Sequence, residues 1–183
     1  MRIAVLSNPD SWYFKDLQRA AGDLHTVRCF SFRRLSARCA PAAEVLVEGE
    51  LLSAYDAVLV RSMPPGSLEQ VVFRMDLLGR LEVAGTPVCN PPRSLEVAID
   101  KYLATERLRE AGLDVPQTSV CQNADTAMEA FEQLGGRVVI KPLFGGEGRG
   151  ITAIDDPALA ERAFRMLEQL GAVDRKSGSA GMP

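Results

Sequence analysis

The sequence predicts an α/β protein in which a parallel sheet comes first and an antiparallel hairpin follows. In residues 1–92, short apolar runs alternate with stretches whose apolar residues recur at helical spacing, which is typical of βαβ units. In residues 138–154, two short apolar runs flank a glycine-rich stretch, which favours an antiparallel hairpin with a glycine crown. We therefore expect a parallel-sheet domain followed by a domain of mixed α+β character.

The first half contains the elements of the parallel sheet. Arg2–Ser7 is a short apolar run of the kind found in buried parallel strands, and a helix can follow over Ser11–Ala21. Ser67 is placed to cap a long amphipathic helix, which Gly85 ends. Further strands are predicted in "HTVRCFSF" (25–32), "YDAVLVRS" (55–62) and "TPVCN" (86–90).

Paired prolines at Pro91 and Pro92 indicate a boundary, so we expect one domain over residues 1–92 and a second over 93–173. Residues 174–183 are polar, rich in small side chains and without periodicity, and are predicted to be a disordered tail.

The second domain is predicted to begin with one continuous helix, capped by Ser94 and ended by Gly112. The elements expected after it are a strand at "VPQTSVCQ" (115–122), a helix with a Thr126/Glu129 capping box, strands at "RVVIKP" (137–142) and "GITAID" (150–155), and a helix from Pro157 to about Leu170.

Composition excludes several classes of function. The net charge of −3 and the pI near 5.3 argue against a nucleic-acid or membrane-surface binder. No stretch has the length or apolarity of a membrane span, and the N-terminal apolar run is too short for a signal peptide, so we expect a cytoplasmic protein. No zinc-ligand spacing occurs, and His25 is expected to be structural. The four cysteines, expected to be free thiols, are Cys29, Cys39, Cys89 and Cys121.

The glycine-rich stretch "GGEGRG" (145–150) does not match two common phosphate-binding motifs. It lacks the GK[ST] ending of a P-loop. It also lacks GxGxxG spacing and joins two strands, which argues against a nicotinamide-dependent Rossmann enzyme. Glycines can still bring backbone N–H groups close to phosphates. A surface hairpin without a ligand explains the stretch equally well when it is taken alone.

Two lysines favour the phosphate interpretation. The chain has 4 lysines against 17 arginines, and Lys141 follows a predicted strand directly ahead of the glycines. Lys101 lies inside the predicted Ser94–Gly112 helix, where a lone lysine is usually solvated. Two lysines and a glycine loop in one domain fit a polyphosphate clamp, in which each charge-assisted contact contributes about 1.5–3 kcal/mol.

These residues lie in the runs "PPRSLEVAIDKYLATERLREAGLDVPQT" and "RVVIKPLFGGEGRGI", which closely resemble the ATP-grasp superfamily. Within it the chain resembles the RimK-type amino-acid ligases, including the α-L-glutamate ligases. The run "SLEQVVFRMDLLGRLEVAGTPVCNPP" is similar to that group's pre-ATP-grasp domain, a Rossmann-like parallel sheet. The resemblance covers about residues 1–173.

The resemblance implies a definite chemistry. ATP phosphorylates a small carboxylate substrate, and an amino acid's amine then attacks the acyl phosphate to form an amide. Lys101 and Lys141 match the family lysines that contact the nucleotide phosphates. The family's mobile phosphate loop is matched by Gly145, Gly146, Gly148 and Gly150.

A substrate cleft is predicted beside Arg61, Pro65 and Gly66, because they follow a strand at the sheet edge where open α/β folds bind ligands. An ordinary surface ion pair is an equally good explanation of Arg61.

The chain also departs from the family pattern. The adenine-binding hinge and the magnesium ligands lie in a C-terminal half that we do not find, so no metal ligand and no catalytic residue can be assigned. We therefore expect a truncated ligase that binds ATP without full catalysis. The alternative is a non-catalytic interaction module that forms a homo-oligomer through its incomplete sheet.

Overall fold

The structure, a computed structural model, describes residues 1–144 and 150–177, with side chains as far as residue 169. The chain divides into two compact units, Met1–Glu96 and Val97–Pro183. The strands are β1 (Arg2–Leu6), β2 (Thr26–Phe30), β3 (Leu35–Arg38), β4 (Glu44–Val47), β5 (Glu50–Leu51), β6 (Ala57–Val60), β7 (Val88–Cys89), β8 (Val138–Ile140) and β9 (Thr152–Ile154). The helices are α1 (Trp12–Ala21), α2 (Leu68–Val83), α3 (Pro92–Ile99), α4 (Lys101–Glu110), α5 (Ala124–Gln133) and α6 (Pro157–Ser177).

A four-stranded parallel sheet forms the centre of the first unit, in the order β2-β1-β6-β7. The predicted parallel sheet is therefore confirmed. Ala4, Val5 and Leu6 are all fully buried, so both faces of β1 are covered. This double burial explains why the strand is a continuous apolar run rather than an alternating one.

Serine caps begin α1 and α2; the cap at Ser67 was predicted, whereas Ser11 was expected to be the first residue of its helix. The hydroxyl of Ser11 accepts a hydrogen bond from the backbone N–H of Phe14 at 3.2 Å. Ser67 and Gln70 form a reciprocal capping box at the start of α2. After α2, Gly85 adopts a φ of 87°, which an L side chain rarely adopts and which explains the glycine at this helix end.

A three-stranded antiparallel sheet, β3-β4-β5, completes the first unit and was not predicted. Its strands are two to four residues long, too short for a clear alternating pattern. Val45 and Val47 of β4 are buried and join the main core. That core links both sheets and α2, and its buried members are Ala4, Leu6, Phe30, Phe32, Val45, Val47, Leu52, Tyr55, Val58, Val60, Met75, Leu77, Leu78, Leu81 and Val88.

The second unit contains the predicted antiparallel hairpin, in which Val138 pairs with Ile154 and Ile140 with Thr152. Its fully buried cluster consists of Phe131, Ile154 and Ala160, and partly buried apolar side chains pack around these three. The hairpin packs on this cluster through Ile154 and the half-buried Val138 and Ile140.

The continuous helix predicted from Ser94 to Gly112 is wrong. The chain forms α3 and α4 instead, separated by Asp100, whose φ of −98° and ψ of 108° are not helical. Ser94 lies inside α3, which begins at Pro92. Proline suits this first position because its missing N–H would have no helical partner there.

Three further expectations differ from the structure. Residues 115–122 form no strand. Asn123, rather than Thr126, caps α5 and accepts a hydrogen bond from the Thr126 N–H at 2.9 Å. Helix α6 continues beyond Leu170 and includes residues 174–177, which the sequence assigns to the tail. Residues 178–183 lie outside the described part.

No helix in the described ranges combines the length and the apolarity that a membrane crossing requires.

Candidate functional site

Lys101, predicted to contact phosphate, is the first residue of α4 rather than an interior helical residue. The change of chain direction at Asp100 places it there. One carboxylate oxygen of Asp100 accepts hydrogen bonds from the N–H groups of Tyr102 at 2.8 Å and Leu103 at 3.0 Å. Asp100 is thus a helix cap, and it fixes the position from which the Lys101 side chain leaves the helix.

Two groups of Lys101 reach the same carbonyl oxygen. Its backbone N–H lies 3.3 Å from the oxygen of Leu143, and its Nζ lies 3.4 Å from that oxygen. Leu143 is two residues beyond Lys141, the exposed residue that follows β8. The structure therefore holds Lys101 against the segment that begins with Lys141 and leads to residues 145–149.

Gly150 is the one predicted loop glycine that the structure describes. It has a φ of 73°, and a Cβ added to it would lie 2.9 Å from Cγ of Pro142. Any larger residue would be strained and would also crowd the residue after Lys141. Gly145, Gly146 and Gly148 lie outside the described residues.

The first turn of α4 offers an anion few free backbone donors. The N–H groups of Lys101, Tyr102 and Leu103 all have the partners given above, and that of Ala104 donates to the Asp100 carbonyl at 2.9 Å. An anion at this site would consequently depend on the two ammonium groups rather than on the helix N-terminus.

The family pattern implies magnesium, but the residues in hand do not provide a site for it. Among the side chains that the structure describes, those of residues 1–144 and 150–169, no group of three or more histidine, cysteine, aspartate or glutamate residues could hold a metal ion. We derive no step through a metal ion from these residues.

Arg61 lies directly after β6, in the first unit, where its N–H donates to the carbonyl of Leu6 at 3.1 Å. Its guanidinium carbon lies 4.5 Å from the centroid of the Tyr13 ring. Among the described residues, no carboxylate forms an ion pair with Arg61. Arg61 thus packs on an aromatic ring, and no acidic side chain among the described residues neutralises its charge.

Pro65 and Gly66 belong to the loop before α2, which contacts side chains of that helix. Nη1 of Arg74 donates to the carbonyl of Pro64 at 2.6 Å. A Cβ on Gly66 would lie 2.8 Å from Oε1 of Gln70 and 3.0 Å from Nη1 of Arg74. Gly66 therefore lies close to the ends of two α2 side chains.

Sequence reasoning missed Arg74, which is only 5% exposed. Burial lowers the pKa of its guanidinium, and the neighbouring charge of Arg33 lowers that pKa further. Its spacing could have indicated this burial. Arg74 lies three residues after Val71 and four before Leu78, on the apolar face of α2. Tyr13 and the capping role of Asp100 were also missed.

Several known proteins are similar to this chain in sequence. No family model matches the chain. A tetrahydromethanopterin:α-L-glutamate ligase of Methanosarcina acetivorans is 39% identical over 158 residues, which cover 83% of this chain and 48% of the relative. A glutamate–LysW ligase of Sulfurisphaera tokodaii is 30% identical over 130 residues, which cover 71% of this chain and 44% of the relative. The chain thus spans about half the length of these relatives.

Solved structures show the same architecture. A RimK domain ATP-grasp protein from Sphaerobacter thermophilus matches with a TM-score of 0.68 at 24% identity, covering 90% of this chain and 58% of the other. The ATP-grasp ligase PsnB, in complex with a minimal precursor, matches with a TM-score of 0.59 at 26% identity, covering 93% of this chain and 61% of the other. The first match, at its low identity, establishes the fold alone.

Proposed function

Because the chain belongs to the ATP-grasp superfamily and resembles its RimK-type ligases, we propose that it binds ATP for an ATP-dependent carboxylate–amine ligation. In this reaction a carboxylate oxygen of the substrate attacks the γ-phosphorus of ATP, and ADP leaves. The nitrogen of an amine then attacks the acyl carbon, a proton leaves that nitrogen, and inorganic phosphate departs. The product is an amide.

The observation that carries the proposal is the position of Lys101 on the Leu143 carbonyl. It joins the start of α4 to the segment that begins with Lys141, although the two lysines are forty residues apart in sequence. Two ammonium groups that both reach one nucleotide would neutralise neighbouring phosphates. Each such contact contributes about 1.5–3 kcal/mol, or roughly ten- to a hundredfold in affinity.

Arg61 has a complementary role in the proposal. It follows a parallel strand at the carboxyl edge of the sheet, where open α/β sheets bind ligands. A guanidinium pairs with a carboxylate through two parallel hydrogen bonds, which also fix the orientation of the carboxylate. We assign Arg61 to the carboxylate substrate. Glutamate is the proposed amine, since the relatives named above are glutamate ligases.

Nucleotide affinity tests the proposal. Isothermal titration calorimetry with ATP should show at least a tenfold loss of affinity in the double variant Lys101→Ala/Lys141→Ala. Lys15→Ala is the matched control, since it removes an exposed lysine on α1 and should leave ATP affinity unchanged. Equal ATP affinity in the double variant and the wild type would contradict the proposal, provided that both give the same circular dichroism spectrum.

A further inference from the structure

The carboxyl ends of β1 and β6 form the point at which the parallel sheet changes winding direction. With the order β2-β1-β6-β7, the chain passes from β1 to β2 on one side, and β6 then lies on the other side of β1. The connections after β1 and β6 therefore diverge from this point. Ligands of open parallel sheets bind outside the carboxyl ends of the strands at such points.

Two exposed aromatic side chains lie in the connection that follows β1. Trp12 is 70% exposed and Tyr13 is 52% exposed, although they begin a helix that buries Phe14. Their rings meet edge to face, with centroids 5.4 Å apart and an interplanar angle of 74°. The guanidinium of Arg61, from the connection that follows β6, lies over the Tyr13 ring. Tyr13 thus contacts both the indole and the cation.

Hydrogen bonds anchor the two connections to the end of β1. The hydroxyl of Ser7 lies 3.4 Å from the hydroxyls of both Ser11 and Ser62. The N–H groups of Arg61 and Ser62 approach the carbonyl of Leu6 at 3.1 and 3.4 Å. Trp12 directly follows Ser11, and Arg61 directly precedes Ser62. The backbone from which the aromatic pair and the guanidinium extend is therefore anchored to the end of β1.

This arrangement has a chemistry of its own. Trp12 and Tyr13 offer apolar ring surface to solvent, and stacking of a further ring would bury that surface. Arg61 supplies a cation that no described carboxylate neutralises. An aromatic ring and a carboxylate in one molecule would satisfy both groups, whereas an aliphatic acid would satisfy only the arginine.

We propose that Trp12, Tyr13 and Arg61 form a binding surface for a small planar aromatic molecule that carries a carboxylate. In this inference, which rests on the proposed ligase function, the molecule is the carboxylate substrate. Trp12 stacks on the ring, Arg61 pairs with the carboxylate, and Tyr13 positions the guanidinium. The surface thereby selects the carboxylate substrate by the ring attached to it.

Trp12 is the only tryptophan of the chain, so its fluorescence reports on this surface without interference from other tryptophans. Three probes separate the two recognition elements: N-benzoyl-L-glutamate has a ring and carboxylates, N-acetyl-L-glutamate has carboxylates only, and N-methylbenzamide has a ring only. We expect N-benzoyl-L-glutamate to change the Trp12 emission and to bind about tenfold more tightly than either other probe. Equal affinity for N-benzoyl- and N-acetyl-L-glutamate would overturn the inference.

Variants test each residue by saturation-transfer NMR, which observes the probe and needs no tryptophan. Affinity for N-benzoyl-L-glutamate should fall about threefold to tenfold in Trp12→Ala and largely recover in Trp12→Phe, which keeps a ring. Arg61→Gln should lower it about tenfold or more. The matched control is Arg19→Gln on α1, the helix that begins with Trp12, because Arg19 is exposed and paired with Asp16. Unchanged affinity in both Trp12→Ala and Arg61→Gln would overturn the inference.

ATP affinity, measured in parallel, distinguishes the two proposals. If ATP binds through the lysine pair but N-benzoyl-L-glutamate fails to bind, the aromatic surface is wrong and the proposed function stands. If N-benzoyl-L-glutamate binds at Trp12 but ATP does not bind, the ligase function is wrong and only the binding surface is supported. A second copy of the chain could also cover this surface. Self-association that Trp12→Ala abolishes, measured by sedimentation without a probe, would assign it to that contact and overturn the inference.

Discussion

Among the described residues, one cluster of fifteen buried side chains joins two sheets and α2 in the first unit, whereas the fully buried cluster of the second unit consists of Phe131, Ile154 and Ala160. Helix α4 of the second unit has no buried residue at all. The proposed substrate surface thus lies on a densely packed platform, and the proposed phosphate site lies on segments with little buried apolar surface. Segments with few buried contacts open locally at low free-energy cost, which suits residues that must admit a nucleotide.

The largest expected effect comes from a matched pair of phenylalanines, one in each core. Phe131 and Phe30 are both 2% exposed, so replacing either by alanine should cost about 3–5 kcal/mol. Because the second cluster has three fully buried members among the described residues, Phe131→Ala should abolish amide protection of α5 and the β8–β9 hairpin. Phe30→Ala should leave the first unit folded but less stable.

Hydrogen exchange followed by mass spectrometry measures both outcomes, and Leu24→Ala is a suitable control because Leu24 is 84% exposed. Persistent amide protection of the hairpin in Phe131→Ala, at the wild-type level, would show that the second unit does not depend on its small cluster.

A smaller effect is expected at the cap of α4. Asp100→Ala removes the acceptor of two N–H groups and should destabilise the helix by about 0.5–2 kcal/mol. It should also lower ATP affinity, because Lys101 then loses the fixed point from which its side chain extends. Asp100→Asn keeps a capping oxygen and should restore most of the protection of α4 amides. Asp100→Ala with unchanged exchange rates in α4 would contradict the capping role.

The elements that the sequence predicts correctly are those in which local pattern and tertiary environment agree. The buried strand β1 is a short apolar run because both its faces are covered, and Ser67 caps α2 with a glutamine in the matching position. The β8–β9 hairpin follows because its two apolar runs are separated by glycines. In these cases the residues that predict each element lie close together in the sequence.

The errors arise where a distant residue decides the local structure. The apolar spacing continues through Asp100 and hides the break, although aspartate is a favoured helix N-cap, and the contact of Lys101 is with Leu143, 42 residues later in the sequence. Residues 115–122 contain valine and threonine, which favour strands, but a strand also needs a partner, and the structure gives this segment none within the described residues. The sequence likewise predicts that Arg61 lies at a ligand-binding edge, but it cannot show that Tyr13 lies beneath the guanidinium.

Chemical reactivity of the lysines in the presence and absence of ATP tests the proposed nucleotide site most directly. The chain can be treated with a trace amount of an amine-acetylating reagent, and the modification of each lysine measured by mass spectrometry. We predict that ATP slows the acetylation of Lys101 and Lys141 together, since both ammonium groups would contact phosphate, and leaves Lys15 unchanged. Protection of only one of the two lysines, or of neither, at an ATP concentration that saturates binding would contradict a shared phosphate site.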